Sequence, residues 1–184
     1  MSGIPVLIFA IVSGALIYIS RRSLIAPRSH GFYRFFAFEA ILGAFLLNVG
    51  GWFNDPFSWH QLISWPLLVI ALFLVIHGVH LLRLVGKPDV RRDDASLLGV
   101  EKTLQLVTVG AYRYIRHPMY SSLLFLAWGI FFKDPAWPGG ILALVATIAL
   151  VMTAKAEEVE DISYFGEAYR KYMKHTKMFV PYLF

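Results

Sequence analysis

Long apolar runs, and the side on which the charges between them fall, constrain this chain more than any other feature. Residues 4–19 carry no charge and are followed at once by Arg21 and Arg22. A secretory signal carries its basic residues before the apolar stretch, so the order here is reversed. The run reads as a first transmembrane helix with its N-terminus outside. Residues 35–53, 62–85 and 136–154 predict three further spans. Residues 119–132 predict a shorter one, below the ~17–25 residues a span normally needs; it is lengthened at its start by the preceding turn or held against protein rather than lipid.

The basic residues support this layout. Of 17 Lys and Arg, 16 fall in the loop after the first span, between the third and fourth spans, or in the C-terminal tail; Lys133 alone is left for the other side. The positive-inside rule makes the rich side cytoplasmic. The excess of 17 basic over 12 acidic residues is therefore topological and does not point to a nucleic-acid partner. Hydrophobic residues make up 58% of the chain and charged residues 16%, against about 25% charged in soluble domains. Lys133-Asp134-Pro135 is a tight connection, so spans four and five form an antiparallel hairpin. The expectation is an all-α integral membrane protein: one domain over 1–184, about five transmembrane helices and a cytoplasmic C-terminal helix. A prokaryotic plasma membrane is the expected location.

Between spans three and four, Leu97, Val100, Leu104 and Val107 recur at helical spacing beside Arg91, Arg92, Glu101 and Lys102. An interfacial helix and a solvated connector both account for that pattern. Two other stretches carry chemistry. In Arg116-His117-Pro118, proline suits the first turn of a helix, which puts His117 at the cap of span four. Backbone donors at such an N-terminus favour an anion. In the tail, a continuous helix sets Glu158, Ile162, Phe165, Tyr169 and Tyr172 on one stripe. A carboxylate on an apolar face beside a bilayer is costly unless paired or used, and Arg116 or His117 is the nearest partner. Glu157, Glu160 and Asp161 read as a solvated acidic turn. Gly166 is a potential break in the helix.

Together these stretches resemble a known family. Gly110, Tyr112, Arg116, His117, Pro118, Tyr120 and Gly129 form one motif. Glu157, Glu158, Phe165, Gly166, Tyr169, Tyr172 and Pro181 form a second. The pair is similar to the isoprenylcysteine carboxyl methyltransferase and phospholipid methyltransferase superfamily, and covers 103–184. The resemblance implies that S-adenosylmethionine binds between the first motif and the C-terminal helix, with the site open to the cytoplasm. Tyr112, Arg116, His117, Pro118 and Tyr120 would line the cofactor pocket. Glu158 and Arg116 would serve catalysis, with Glu157 assisting at the reacting end. Where members often carry His, Pro and Gly, this chain has Gln105, Ala111 and Ser122. The implied acceptor is lipophilic or membrane-partitioned, a carboxylate or an amine; an amine or hydroxyl must lose a proton, which Glu158 could accept as general base.

Other readings follow from other residues. Sterol-reductase-like membrane enzymes, which use NADPH, share an RHP-x-Y segment; a non-catalytic scaffold or transporter would account for the spans alone. Glu39 within span two, and His77 and His80 one turn apart in span three, are intramembrane ionisable residues. They are expected to pair across helices or to meet the polar head of a substrate. A third ligand for a metal is not evident, and cysteine is absent, which removes thiolate chemistry. Trp52, Trp59, Trp65 and Trp137 read as anchors at the outer interface.

Overall fold

The computed structural model describes residues 3–87 and 103–184. The described residues form six helices: α1 (Gly3–Leu24), α2 (His30–Asn48), α3 (Trp59–Leu84), α4 (Pro118–Phe131), α5 (Trp137–Phe165) and α6 (Glu167–His175). α1, α2, α3 and α5 are long and apolar enough to cross a membrane. The protein is an all-α integral membrane protein. α4 has 14 residues, about 21 Å of helix, which falls short of a bilayer core. It is held instead between α3, α5 and α2. Of the proposed interfacial helix, residues 97 and 100 lie outside the described residues; Leu104 is exposed and Val107 buried, and neither is helical.

Local chemistry sets the ends of the helices. The Ser29 hydroxyl accepts from the Phe32 N–H at 3.3 Å and so caps α2, satisfying one of the orphan donors of a first turn. α5 runs 11 residues beyond the expected end of its span. Residues 154–160 are mostly good helix formers, and nothing breaks the helix before Gly166, at φ +61°, where a side chain would be strained. The acidic residues 157–161 therefore belong to a membrane helix rather than to a separate turn, and only Tyr169 and Tyr172 of the expected stripe fall on α6.

The core is built from small residues. α2 and α5 make the most extensive pairing, with Ala37, Ala40, Ala44, Ala143, Ala146 and Ala149 buried. Small side chains let membrane helices approach closely, and packing then supplies the attraction. Among the described residues α1 packs chiefly on α2. Ser13 on α1 donates to Glu39 Oε2 at 2.6 Å, so Glu39 pairs with a hydroxyl rather than with a histidine. His77 stacks on Phe73 and accepts from the Ala111 N–H at 3.3 Å.

At the far end of the bundle, Lys133 is buried. Its ammonium donates to Gln61 Oε1 at 2.9 Å and sits 3.1 Å from the centre of the Trp65 ring and 5.4 Å from that of Trp52. Two of the four expected interfacial tryptophans thus hold a buried cation, whereas Trp59 and Trp137 stand exposed.

Gly110 joins the loop to α3. It has φ +60°, and a Cβ there would lie 2.6 Å from both His77 Nε2 and Leu81 Cδ1. Gly110→Ala should cost about 2 kcal/mol or more from backbone strain and overlap, seen as a lower unfolding midpoint in detergent. Gly50→Ala, which meets open space, is the control. Equal midpoints would contradict the packing described for this corner.

Candidate active site

The two chemistry-bearing stretches meet. A short 3-10 turn, Gly110–Arg113, leads to the start of α4, and the C-terminal segment after α6 is clipped to it. The Arg116 N–H donates to Lys177 O at 2.8 Å, the His117 N–H to Met178 O at 3.2 Å, and the Lys177 N–H to Tyr114 O at 3.0 Å. The Ser121 hydroxyl donates to Phe179 O at 2.8 Å, and that of Tyr172 to Tyr112 O at 2.6 Å. Every acceptor here is a main-chain carbonyl, and three of the five donors are main-chain N–H groups, whose bonds leave no side-chain signature; Ser121 and Tyr172 supply the other two donors. Phe179 is fully buried beneath it.

Inside the clip, Arg116 Nε donates to Glu158 Oε1 at 2.6 Å, with each side chain 10% exposed. The guanidinium also reaches the carbonyls of Thr176 and Met173, as expected of a group with five donors. His117 occupies the N-cap position of α4 but makes no side-chain cap. Its ring turns to the glutamates instead. Nδ1 lies 3.3 Å from Glu157 Oε2, and Nε2 lies 3.4 Å from Glu158 Oε1 without hydrogen-bonding geometry. Burial alone would lower the imidazole pKa, but the two glutamates overcome this and raise it from 6.5 to about 9. Two carboxylates thus face a guanidinium and an imidazolium, and the buried cluster is close to neutral.

Glu157 is therefore not part of a solvated turn. It lies next to His117, and Glu160 pairs with buried His30, Nδ1 to Oε2 at 2.7 Å. A buried charge needs such a partner. Sequence reading missed His30, because the pairing spans 130 residues and no local pattern marks it.

Above the cluster opens a cleft enclosing about 580 Å³, solvent at its mouth included. Leu82 of α3 and Thr103, Leu106 and Val107 form one wall. Tyr112, Arg116, His117, Met119 and Tyr120 form the floor, and Glu157, Asp161, Phe165, Tyr169 and Tyr172 the opposite wall. Of the residues expected here, Glu158 and Pro118 lie off the cleft wall: Glu158 stands behind it, bonded to Arg116, and Pro118 is packed in the interior. Burial, reinforced by nearby Asp161 and Glu157, drives the Tyr169 phenol far above its ordinary pKa, and burial raises Tyr172 as well. Both hydroxyls stay neutral. Among the described residues, no three His, Cys, Asp or Glu side chains are grouped to hold a metal ion.

Comparisons with known proteins bear on the same stretch. The methanethiol S-methyltransferase of Pseudomonas deceptionensis is 31% identical over 123 residues, 66% of this chain and 43% of that protein. Methanethiol S-methyltransferase 1 of Bradyrhizobium diazoefficiens is 28% identical over 122 residues, 65% of this chain and 39% of that protein. The enzyme of the same name from Crocosphaera subtropica is 26% identical over 124 residues, 66% and 44% of the two chains. The chain spans less than half the length of these relatives. No solved structure is a significant match. The phospholipid methyltransferase family model matches residues 59–169, from the start of α3 to Tyr169 on α6. That interval includes the whole Arg116–His117–Glu157–Glu158 cluster and more than half of the sequence, and the chain belongs to the phospholipid methyltransferase family.

Proposed function

We propose that this protein transfers a methyl group from S-adenosylmethionine to a lipophilic or membrane-partitioned acceptor at the cytoplasmic face of the membrane. The observation that carries this reading is the Arg116–Glu158 pair with His117 and Glu157 beside it, at the floor of an aromatic-walled cleft. The donor set suits the cofactor. Its methionine end carries an ammonium, a carboxylate and a sulfonium. Glu157 and Asp161 can balance the cations, the rings of Tyr112, Tyr120 and Phe165 can face a sulfonium or an adenine, and Arg116 and His117 can meet the carboxylate. His117 Nε2, buried and without a hydrogen-bond partner, is a donor in reserve for such a group.

When bound, S-adenosylmethionine supplies an electrophilic methyl group. The protein's own contribution is to align, to exclude water and to balance charge. Leu82, Leu106, Val107, Met119 and Phe165 on the lining shed water from part of the cleft, and a bound ligand that displaces the rest would strengthen the charge–charge contacts within it. Alignment of donor and acceptor should provide much of the acceleration. An acceptor whose attacking atom carries a proton must lose it. Glu157 is on the cleft wall and free of the tight Arg116 bond that occupies Glu158, which makes it the better-placed base. The relatives' names favour a thiol as one acceptor to try first, alongside the carboxylates and amines expected from sequence.

Two outcomes test the reading. The detergent-purified protein should bind S-adenosylhomocysteine by calorimetry, and Arg116→Ala and Glu158→Gln should each weaken binding about 10- to 100-fold, the worth of charge-assisted bonds lost in a buried site. Binding of NADPH in place of either adenosyl compound would contradict it. The second outcome is a pH dependence. His117 titrates near 6.5 when unfolded and near 9 in the fold. The stability it contributes is complete below the lower value and is lost as pH rises through the higher one. The unfolding midpoint should fall across that window, and His117→Gln should flatten the fall. An equal fall in the variant would remove His117 as the cause.

A further inference from the structure

The start of the first motif is fastened to α3 by a residue outside both motifs. In the short turn Gly110–Arg113, the cap residue Val109 offers no side chain to the first main-chain donors. The Tyr112 N–H donates to Val109 O at 3.2 Å, whereas the Ala111 N–H goes to His77 Nε2 at 3.3 Å. An orphan donor of one turn is thus met by a side chain of another helix, 34 residues away. Left unmet beside an apolar segment, such an N–H is costly.

Three further observations tie α3 to that turn. The His77 ring stacks on Phe73, one turn earlier in α3, with centroids 5.3 Å apart and planes 10° from parallel. Gly110 has φ +60°, and a Cβ there would lie 2.6 Å from His77 Nε2, so the turn carries no side chain where the ring stands. Gly78, the next residue of α3, leaves room beside Tyr112: a Cβ on it would lie 3.7 Å from the Tyr112 hydroxyl. Tyr112 is buried on the cleft floor, and its carbonyl takes the Tyr172 hydroxyl at 2.6 Å. The turn is therefore held from α3 through the Ala111 N–H and from α6 through the Tyr112 carbonyl.

We propose that His77 is a positioning residue for the cofactor site: through the Ala111 N–H it fixes the turn that presents Tyr112 to the cleft. The inference rests on the methyl-transfer reading, in which the Tyr112 ring faces the sulfonium or the adenine. An Nε2 that accepts has no proton, so the ring is neutral and its hydrogen is on Nδ1. His77 does not line the cleft and acts through the turn alone. Without its acceptor the Ala111 N–H must find another partner, the turn shifts on α3, and Tyr112 leaves the place where it can meet the cofactor. The effect falls on cofactor binding rather than on the chemical step.

The test is calorimetry of the full chain in detergent with S-adenosylhomocysteine. His77→Phe keeps a ring against Phe73 and removes the acceptor, whereas His77→Gln keeps an acceptor. His77→Phe should weaken binding about 5- to 20-fold with an unchanged number of sites per chain, and His77→Gln should recover most of that loss. Tyr112→Ala should weaken binding by itself, and adding His77→Phe to it should cost little more, because residues that act through one another are not additive. If His77→Phe lowers the number of sites and leaves their affinity unaltered, His77 only stabilises the fold and the proposal is overturned. Additive losses, or no recovery with glutamine, overturn it as well. A measurement without ligand tests the contact itself: in protein labelled with ¹⁵N-histidine, His77 should show the tautomer protonated on Nδ1, and a protonated Nε2 contradicts the proposal. Failure of the unaltered protein to bind either adenosyl compound is a different result, which overturns the function itself and the inference with it.

Discussion

A guanidinium and a carboxylate 2.6 Å apart, each about one-tenth exposed, stand where water cannot solvate them. Removing two ions from water costs several kcal/mol each, and their attraction repays this only when geometry and additional hydrogen bonds are good. Arg116 meets the condition through the carbonyls of Thr176 and Met173. Those carbonyls are in place because the C-terminal segment is clipped to the start of α4. The ion pair, the clip and the placement of α6 are thus one constraint. A change to any of them is felt by the others.

α5 translates that constraint into a site. Its first part is a membrane helix packed on α2 through alanines, and its last turns carry Glu157, Glu158, Glu160 and Asp161. A rigid helix holds side chains more precisely than a loop can. The two glutamates at 157 and 158 point about 100° apart. One therefore reaches the cleft and His117, and the other turns behind it to Arg116. Asp161, one turn on from Glu157, returns to the cleft wall. The paired carboxylates divide by direction: one holds the frame and the other faces the cleft.

Much of this was legible in the sequence, and the reasons are physical. The apolar runs had to be helices, because only helices and closed barrels satisfy the backbone in lipid. Glu158 had to find a cation, and Arg116 was the cation that the topology brought near. The family resemblance, drawn from the two motifs, agrees with the matched stretch 59–169 and favours methyl transfer over the reductase reading. What failed was local. Glu157, Glu160 and Asp161 looked solvated because each is charged and they stand close together in the sequence; the pairing of Glu157 with His117 and of Glu160 with His30 depends on residues 40 and 130 positions away. Lys133 fits the outer side by charge counting, yet it is buried against tryptophans read as lipid anchors. The main-chain bonds from Arg116, His117 and Lys177 leave no trace in residue type at all.

The central claim is that the first motif and the α5 glutamates act as one coupled unit through Arg116 and Glu158. A double-mutant cycle tests it most directly: Arg116→Ala, Glu158→Gln and the double variant, each measured for the free energy of unfolding in detergent. The account predicts strong non-additivity, with a coupling of about 1.5 kcal/mol or more, because removing the second partner relieves the charge stranded by loss of the first. Additive losses would mean that the two side chains do not depend on each other, and would contradict the ion pair as the basis of the site.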